Sequence, residues 1–327
     1  MTDAEEPARP RVSHLRLTGL IGAAGAVLAA ATVAGFLDRA WWPFELFTHF
    51  RVQYLLGLAL VVAVAFLTRR RRSAVVFSVF AGLNLALIAP LYFGADAPPP
   101  GSAPRLRITL LNVLTSNDRH EDVLAMVRER DPDLLFLMET SERWLSALSP
   151  LCERYPYVVS RARSDNFGIA LYSKVPFERA EIVTLRGADV PSVVARILVG
   201  GEAVTLIGTH PVPPVLAYRA RLRNRQLDAV AQLAASTEGR VIVLGDLNCS
   251  PWSFYFRRLL EQGGLRDSAK GQGVRLTWPT SVKLFPLRIP IDHCLLGPGF
   301  AVLETEVGDA VGSDHFPLHL TLALTDD

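Results

Sequence analysis

The stretch VIVLGDLNCSPWS, residues 241–253, runs an apolar segment straight into two polar side chains set two positions apart, Asp246 and Asn248. An extended chain alternates faces, so Asp246 and Asn248 are expected on one face of a strand and Leu247 on the other. A strand that merely ends in a turn would also place Gly, Asp, Asn and Ser here. What separates the two readings is whether other strands end in matching chemistry.

Other apolar runs do end this way. Asn112 closes ITLLN, Glu139 closes DLLFLME and His210 follows VTLIGT, while Asp292 follows IPI, and Asp314 and His315 precede FPLHLTL. Carboxylates, amides and imidazoles at six strand ends suit a site built on loops that a rigid scaffold positions. Strands are expected in RLRITLLNVL and DLLFLME and at residues 167–172, 181–185, 193–198, 204–208, 241–244, 294–296 and 318–322. Helices are expected in RHEDVLAMVRER, in ERWLSALSPL, over 215–235 and after Pro251, with Asn117 as N-cap of the first. Many strands with few helices predict an α+β sandwich of two layered sheets with helices outside.

The motifs LNVLTSN (Asn112), FLMET (Glu139), GTHPVPP (His210), GDLN (Asp246, Asn248), PIDH (Asp292) and GSDHFP (Asp314, His315) occur in an order that resembles the endonuclease/exonuclease/phosphatase superfamily, whose members include DNase I-like nucleases and sphingomyelinases. The resemblance covers nearly the whole chain after Arg105 and implies a four-layer α/β sandwich of two packed mixed β-sheets flanked by helices. With the apolar segments described below, the layout is most similar to a membrane-anchored bacterial branch containing YafD-like and VanJ-type proteins.

Phosphate ester hydrolysis needs phosphoryl charge neutralised, a water aligned and the leaving oxygen assisted. Hard oxygen ligands suit Mg²⁺, or Mn²⁺, and the expected ligands are Glu139 with Asp314 and Asn112. The resemblance implies that Asp246 orients or deprotonates the attacking water, and that Asn248 and His210 donate to the phosphoryl group. His315 with Asp292 forms the carboxylate-oriented imidazole pair. His293 and His319 are expected to be structural, and no zinc-type Cys/His cluster is present.

The N-terminal part has a different composition. Residues 17–37, 52–68 and 73–95 carry no charge and have lengths that span a bilayer core as helices, so three transmembrane helices are expected within residues 1–95. The first run also has the features of a cleavable signal segment. Arg9, Arg11, Arg16 and the arginines at 69–72 belong on the cytoplasmic side, and Trp41 and Trp42 suit the opposite interface. The later chain is then extracytoplasmic. Residues 96–105 form a Pro-rich linker, expected to be extended at about 3 Å per residue, before a catalytic domain over 106–327.

The 327 residues carry a net charge of only +2, and the catalytic part is close to neutral, which disfavours a nonspecific nucleic-acid binder. Of the three cysteines, Cys249 and Cys294 each sit beside a motif residue and are expected to be buried near the site. Ahead of Asp292, the segment TWPTSVKLFPLRIP interleaves Trp278, Leu284, Phe285, Leu287 and Ile289 with Lys283 and Arg288, an apolar and basic lip suited to a lipid-linked phosphate. The expected function is a metal-dependent phosphohydrolase at the outer face of the bacterial cytoplasmic membrane. The alternatives are an extracytoplasmic nuclease and a catalytically silent envelope-binding module.

Overall fold

The structure, a computed structural model, describes residues 12–97 and 99–326. Arg9 and Arg11 lie outside the described residues. Helices α1 (Val12–Ala34), α2 (Trp42–Leu46), α3 (Arg51–Leu67) and α4 (Arg71–Ile88) come first. Tyr54, Leu58 and Val61 of α3 pack against Ala29 of α1 and Phe77 of α4.

Among the described residues two helical stretches, Trp42–Leu67 and Arg71–Leu91, are long and apolar enough to cross a membrane. The expectation of three spans is therefore corrected to two. Among the described residues α1 contributes a shorter apolar stretch, Gly19–Ala34. The uncharged run looked longer because residues 35–37 leave the helix in a turn. Conversely, Arg51, which bounded the second run, does not end its helix. It is buried, and its Nη1 donates to Thr32 O (2.9 Å) and Asn84 Oδ1 (3.4 Å) within the bundle.

The remaining chain runs β1 (Arg105–Asn112), α5 (His120–Arg130), β2 (Leu134–Met138), α6 (Glu142–Ala147), β3 (Tyr157–Arg161), β4 (Ile169–Ser173), β5 (Phe177–Thr184), β6 (Pro191–Val199), β7 (Glu202–Thr209), α7 (Ala217–Ser236), β8 (Arg240–Asp246), α8 (Phe254–Gly263), β9 (Arg266–Asp267), β10 (Asp292–Leu296), β11 (Phe300–Val307) and β12 (Leu318–Leu324). Two six-stranded sheets result, ordered β11-β12-β1-β2-β4-β3 and β5-β6-β7-β8-β10-β9. The β1/β2 and β7/β8 pairs are parallel and the other pairs antiparallel, so both sheets are mixed.

Alternation within the strands explains the layers. Leu106, Ile108, Leu110, Leu134 and Phe136 of the first sheet share a core with Val193, Ala195, Leu206, Ile242 and Leu244 of the second. The opposite faces bury Leu111, Leu135 and Leu137 under α5 and α6, and Ile207, Val241, Val243 and Leu295 under α7 and α8. Each fully buried Leu, Ile or Phe contributes roughly 1.5–3 kcal/mol of transfer free energy. At the centre the Phe136 ring fills the space over Gly208, where a Cβ would meet the ring at 2.4 Å.

Sheet topology gathers the polar strand ends. Parallel β1 and β2 deliver Asn112 and Glu139 to one edge, and parallel β7 and β8 deliver His210 and Asp246. Antiparallel β10 begins there, with Asp292 paired to Asp246, and antiparallel β12 begins beside Leu110, so the loop carrying Asp314 and His315 arrives at the same edge.

Three strands escaped the sequence pattern. β3 is a short, largely exposed edge strand, β9 has only two residues, and β11 carries a bulge between Val302 and Glu304 that breaks its alternation. The linker also differs from the extended tether expected. Asp96 Oδ2 accepts from Arg266 Nη2 (2.8 Å) and from the Val302 amide (2.7 Å), which fastens it to the sandwich. The helices dock on the sandwich as well: Ile88 and Leu91 pack with Trp252 and Ala269, and Trp252 Nε1 donates to Leu87 O (3.1 Å).

Candidate active site

The opening stretch takes a form the alternation did not predict. β8 ends at Asp246, and Asn248 adopts a left-handed conformation (φ 50°) with its amide donating to Asp246 Oδ1 (3.0 Å). A turn, not a continued strand, therefore brings the two side chains together, while Leu247 is buried among the helix-side residues. Preceding Gly245 is obligatory: at φ 153° a Cβ would lie 1.8 Å from Thr209 O.

Asp246 is the centre of the cluster. Its Oδ2 lies 3.4 Å from His210 Nε2, 3.6 Å from His315 Nε2 and 3.4 Å from Asn112 Nδ2. These contacts lie at the long end of hydrogen bonding. His315 Nδ1 lies 2.8 Å from Asp292 Oδ2. Burial opposes charge on His315, yet the Asp292 and Asp246 carboxylates outweigh it and push the imidazole up to about 10. Burial likewise opposes charge on His210, but its hydrogen bond to Asp246 and the Asp246 and Glu139 charges raise its pKa. Asp246 moves the other way: burial works against ionisation, and the two imidazoles more than offset it, holding the carboxyl below its usual range.

Glu139 sits just past β2 in a left-handed conformation (φ 63°), with Oε1 accepting from Asn112 Nδ2 (2.9 Å) and Oε2 from the Thr115 amide (3.2 Å). Asp314 Oδ2 accepts from Trp278 Nε1 (3.0 Å), while its Oδ1 is buried without a protein partner. Ser313 Oγ, hydrogen-bonded to Asn112 O (2.6 Å), fixes this loop against β1. Glu139 and Asp314 thus offer hard carboxylate oxygens, one of them orphaned, which suits a divalent cation of the Mg²⁺ or Mn²⁺ kind, whereas Asn112, expected as a third ligand, turns its Nδ2 to Glu139 and Asp246 while its Oδ1 accepts from the Leu114 amide (3.1 Å). Asp246, Asp292 and His315 also bring ligand-type atoms within 4.8 Å of one another. In that trio His315 Nδ1 faces Asp292 Oδ2 at 2.8 Å and His315 Nε2 faces Asp246 Oδ2 at 3.6 Å, an arrangement of paired opposite charges when the imidazole is protonated.

Glu139, His210, Asp246, Asn248, Asp314 and His315 all line one cavity of about 580 Å³. The same cavity is also lined by Leu46 and Phe50 of the N-terminal helical segment, by Pro213, Val215, Trp278, Ile289 and Ile291, and by the polar His49, Asp165 and Asn166. Phe167 leans on the His210 ring, with centroids 5.5 Å apart.

Neither cation expected at the lip lines this cavity. Arg288 donates to the carbonyls of Pro279 (3.1 Å) and Thr280 (3.2 Å) and covers the Phe316 ring, and Lys283 is exposed in a short 3-10 helix, Val282–Leu287. The Arg among the cavity's lining residues is Arg219, from the first turn of α7. It escaped the sequence reading because one Arg in an Arg-rich helix gives no signal. Leu46 and Phe50 escaped because they looked like part of a membrane anchor.

The supporting residues are also placed. His293 Nε2 contacts Cys249 O (2.8 Å) and His319 Nδ1 contacts Thr109 Oγ1 (2.9 Å), so both serve the interior. Asn117 does not cap α5, which has no side-chain cap. Its Nδ2 bridges Val113 O and Val311 O, and its Oδ1 accepts from the amide of Arg119 (3.0 Å), just ahead of the helix. Cys249 and Cys294 are buried free thiols, and burial pushes Cys249 up to about 12 and Cys294 higher.

A four-layer sandwich with carboxylates, amides and imidazoles over the seam of its two sheets defines the class of DNase I-like phosphoesterase folds. The chain belongs to the Endonuclease/Exonuclease/phosphatase family, whose model matches residues 109–315. Members of that superfamily hydrolyse phosphate esters and generally depend on divalent metal. No curated protein matches the sequence at a significant level.

Solved structures share the fold at low identity. TDP2 of D. rerio, complexed with a single-strand DNA product, is 19% identical, with 67% of this chain and 98% of that one covered and a TM-score of 0.56. The human Nocturnin catalytic domain with bound sulfate is 17% identical, covering 68% and 96%, with a TM-score of 0.57. Sphingomyelinase C from Streptomyces griseocarneus is 18% identical, covering 67% and 99%, with a TM-score of 0.51.

Proposed function

We propose that this protein is a Mg²⁺-dependent phosphohydrolase of a membrane-anchored bacterial branch, acting on a lipid-linked phosphate, pyrophosphate or phosphodiester at the outer face of the cytoplasmic membrane. The observation that carries the reading is the mixed lining of the cavity, which joins the ionised cluster to apolar side chains that include Leu46 and Phe50 from the stretch that enters the apolar helices. A phosphorylated lipid has that same mixed character. The exposed Val282, Leu284 and Leu287, and Val215 at the cavity, add apolar surface compatible with lipid contact.

Orientation is argued from charge. The arginines at 69–72 are exposed at the turn between α3 and α4, roughly 25 Å of helix away from the end of α3 that docks on the sandwich. Basic loops stay cytoplasmic, which leaves the sandwich outside.

Glu139 and Asp314 would hold a divalent cation, with Asn112 orienting the Glu139 carboxylate through Nδ2, and when bound the cation supplies charge neutralisation at the phosphoryl oxygens. Asp246, ionised and loosely contacted at Oδ2, orients the attacking water and takes its proton. His210 and protonated His315 donate to phosphoryl oxygens, Asn248 orients the group, and Asp292 keeps His315 charged and in register.

The test is the full-length protein in liposomes with Mg²⁺, offered a long-chain lipid pyrophosphate, a lipid phosphodiester and single-strand DNA, with Asp246→Asn as control. Phosphate release or phosphodiester cleavage of a lipid, abolished in the control, is expected. DNA cleavage without action on either lipid would replace the reading with a nuclease.

A further inference from the structure

A buried ion pair joins the membrane helices to the active-site turn. Glu45 of α2 and Arg223 of α7 are both fully buried, and Arg223 Nη2 donates to Glu45 Oε2. Every remaining polar atom of this network that could be stranded has a partner: Ser253 Oγ donates to Glu45 Oε1 (2.6 Å), and Arg223 Nε donates to Asn224 Oδ1 (2.8 Å). The last arm, Arg223 Nη1, donates to the backbone carbonyl of Asn248 (2.9 Å). Removing two charges from water is costly, and such a pair is tolerated only when its geometry is this complete.

Asn248 needs holding. Its left-handed conformation is one Asn tolerates better than most residues but that surrounding contacts have to maintain. Its amide is tied to Asp246 Oδ1 (3.0 Å) and its Nδ2 to Pro211 O (3.0 Å), both inside the sandwich. Among the described residues its carbonyl is tied only to Arg223, whose charge is balanced by Glu45. Without Glu45 the guanidinium would be a buried cation with no counter-ion, and turning it toward water would release that carbonyl.

We propose that Glu45, acting through Arg223, is a positioning residue for the turn that carries Asp246 and Asn248, so that the active site is complete only when the N-terminal helices are docked on the sandwich. Turnover is then conditional on the state of the membrane segment. The kinetic half of this inference rests on the hydrolase reading above, whereas the positioning half does not.

The experiment uses the full chain in detergent with Mg²⁺ and bis(p-nitrophenyl) phosphate as a soluble probe, comparing wild type, Glu45→Gln, Arg223→Lys, the double variant and Gln53→Ala. Gln53 Nε2 donates to Arg288 O (2.5 Å) and so removes a different contact between helices and sandwich. Backbone hydrogen exchange over residues 246–250 is followed in the same samples. Glu45→Gln and Arg223→Lys should each lower kcat about 10- to 100-fold with KM nearly unchanged, the range for losing an outer partner of a site residue. The double variant should be no worse than the poorer single, exchange over 246–250 should quicken, and Gln53→Ala should match wild type in both. Unchanged kcat, unchanged exchange, or an equal effect of Gln53→Ala would overturn the proposal. A wild type inert toward the probe would count against the hydrolase reading alone, and exchange would then decide positioning; should one single variant fail to fold, the other decides it.

Discussion

His315 lies between two carboxylates, its Nδ1 2.8 Å from Asp292 Oδ2 and its Nε2 3.6 Å from Asp246 Oδ2. The raised imidazole pKa has a definite sign. The pairing stabilises the fold fully below the unfolded value near 6.5, and that contribution is lost as pH rises through about 10. Wild-type Tm should therefore fall between pH 7 and pH 10.5, and Asp292→Asn should show a smaller fall. The alkaline limb of the kcat profile should also move to lower pH in Asp292→Asn, since one of the two charges holding the proton is gone. An unmoved limb would show that His315 does not act as a cation.

Asp246→Asn and His315→Ala should each reduce turnover by roughly two to four orders of magnitude, the range for a positioned acid–base group. Circular dichroism should report an intact fold. Near-normal rates from either folded variant would remove it from the chemistry.

Glu139→Gln keeps the side chain's shape and removes a hard anionic ligand. The midpoint of a Mg²⁺ titration of activity should rise at least about tenfold, in line with losses at metal sites. A chelator should silence the wild type and added Mg²⁺ restore it. A titration curve identical to wild type would exclude Glu139 as a ligand.

Leu46→Ser and Val215→Ser alter the apolar lining without touching the ionised cluster. KM for a long-chain lipid phosphate should rise several-fold while a short-chain soluble analogue is hydrolysed as before. Equal losses on both substrates would deny the apolar lining a role in recognition.

A reporter active only outside the cytoplasm, fused after Asp327, should be active if the arginines at 69–72 remain inside. Inactivity in a well-expressed fusion would reverse the orientation and direct attention to cytoplasmic substrates.

The polar cluster was legible because each member closes or opens an apolar run, and sheet topology then has one edge on which to collect them. Asp246 and Asn248 illustrate the limit: alternation placed both at the site but by the wrong geometry, since the strand stops at Asp246. Arg288 shows another: its position between apolar residues suggested a phosphate contact, while its hydrogen bonds go to Pro279 and Thr280. Glu45 and Arg223 were illegible. They are 178 residues apart, and nothing local in an apolar helix or an Arg-rich one marks a charge as buried. The N-terminal bound of the second apolar stretch has the same origin, because Arg51 reads as the end of a span and instead donates to Thr32 and Asn84 inside the helical bundle.

Asn112, Glu139 and His315 hang from one sheet, and His210, Asp246 and Asp292 from the other. The distances between them are set by how the sheets rest on each other, at contacts such as Phe136 over Gly208. Turnover is therefore a strain gauge on the interior. A core substitution that lets one sheet slip by a fraction of an ångström would spoil the reacting geometry long before it melts the protein, so a variant can be silent and still look native by every measure of secondary structure.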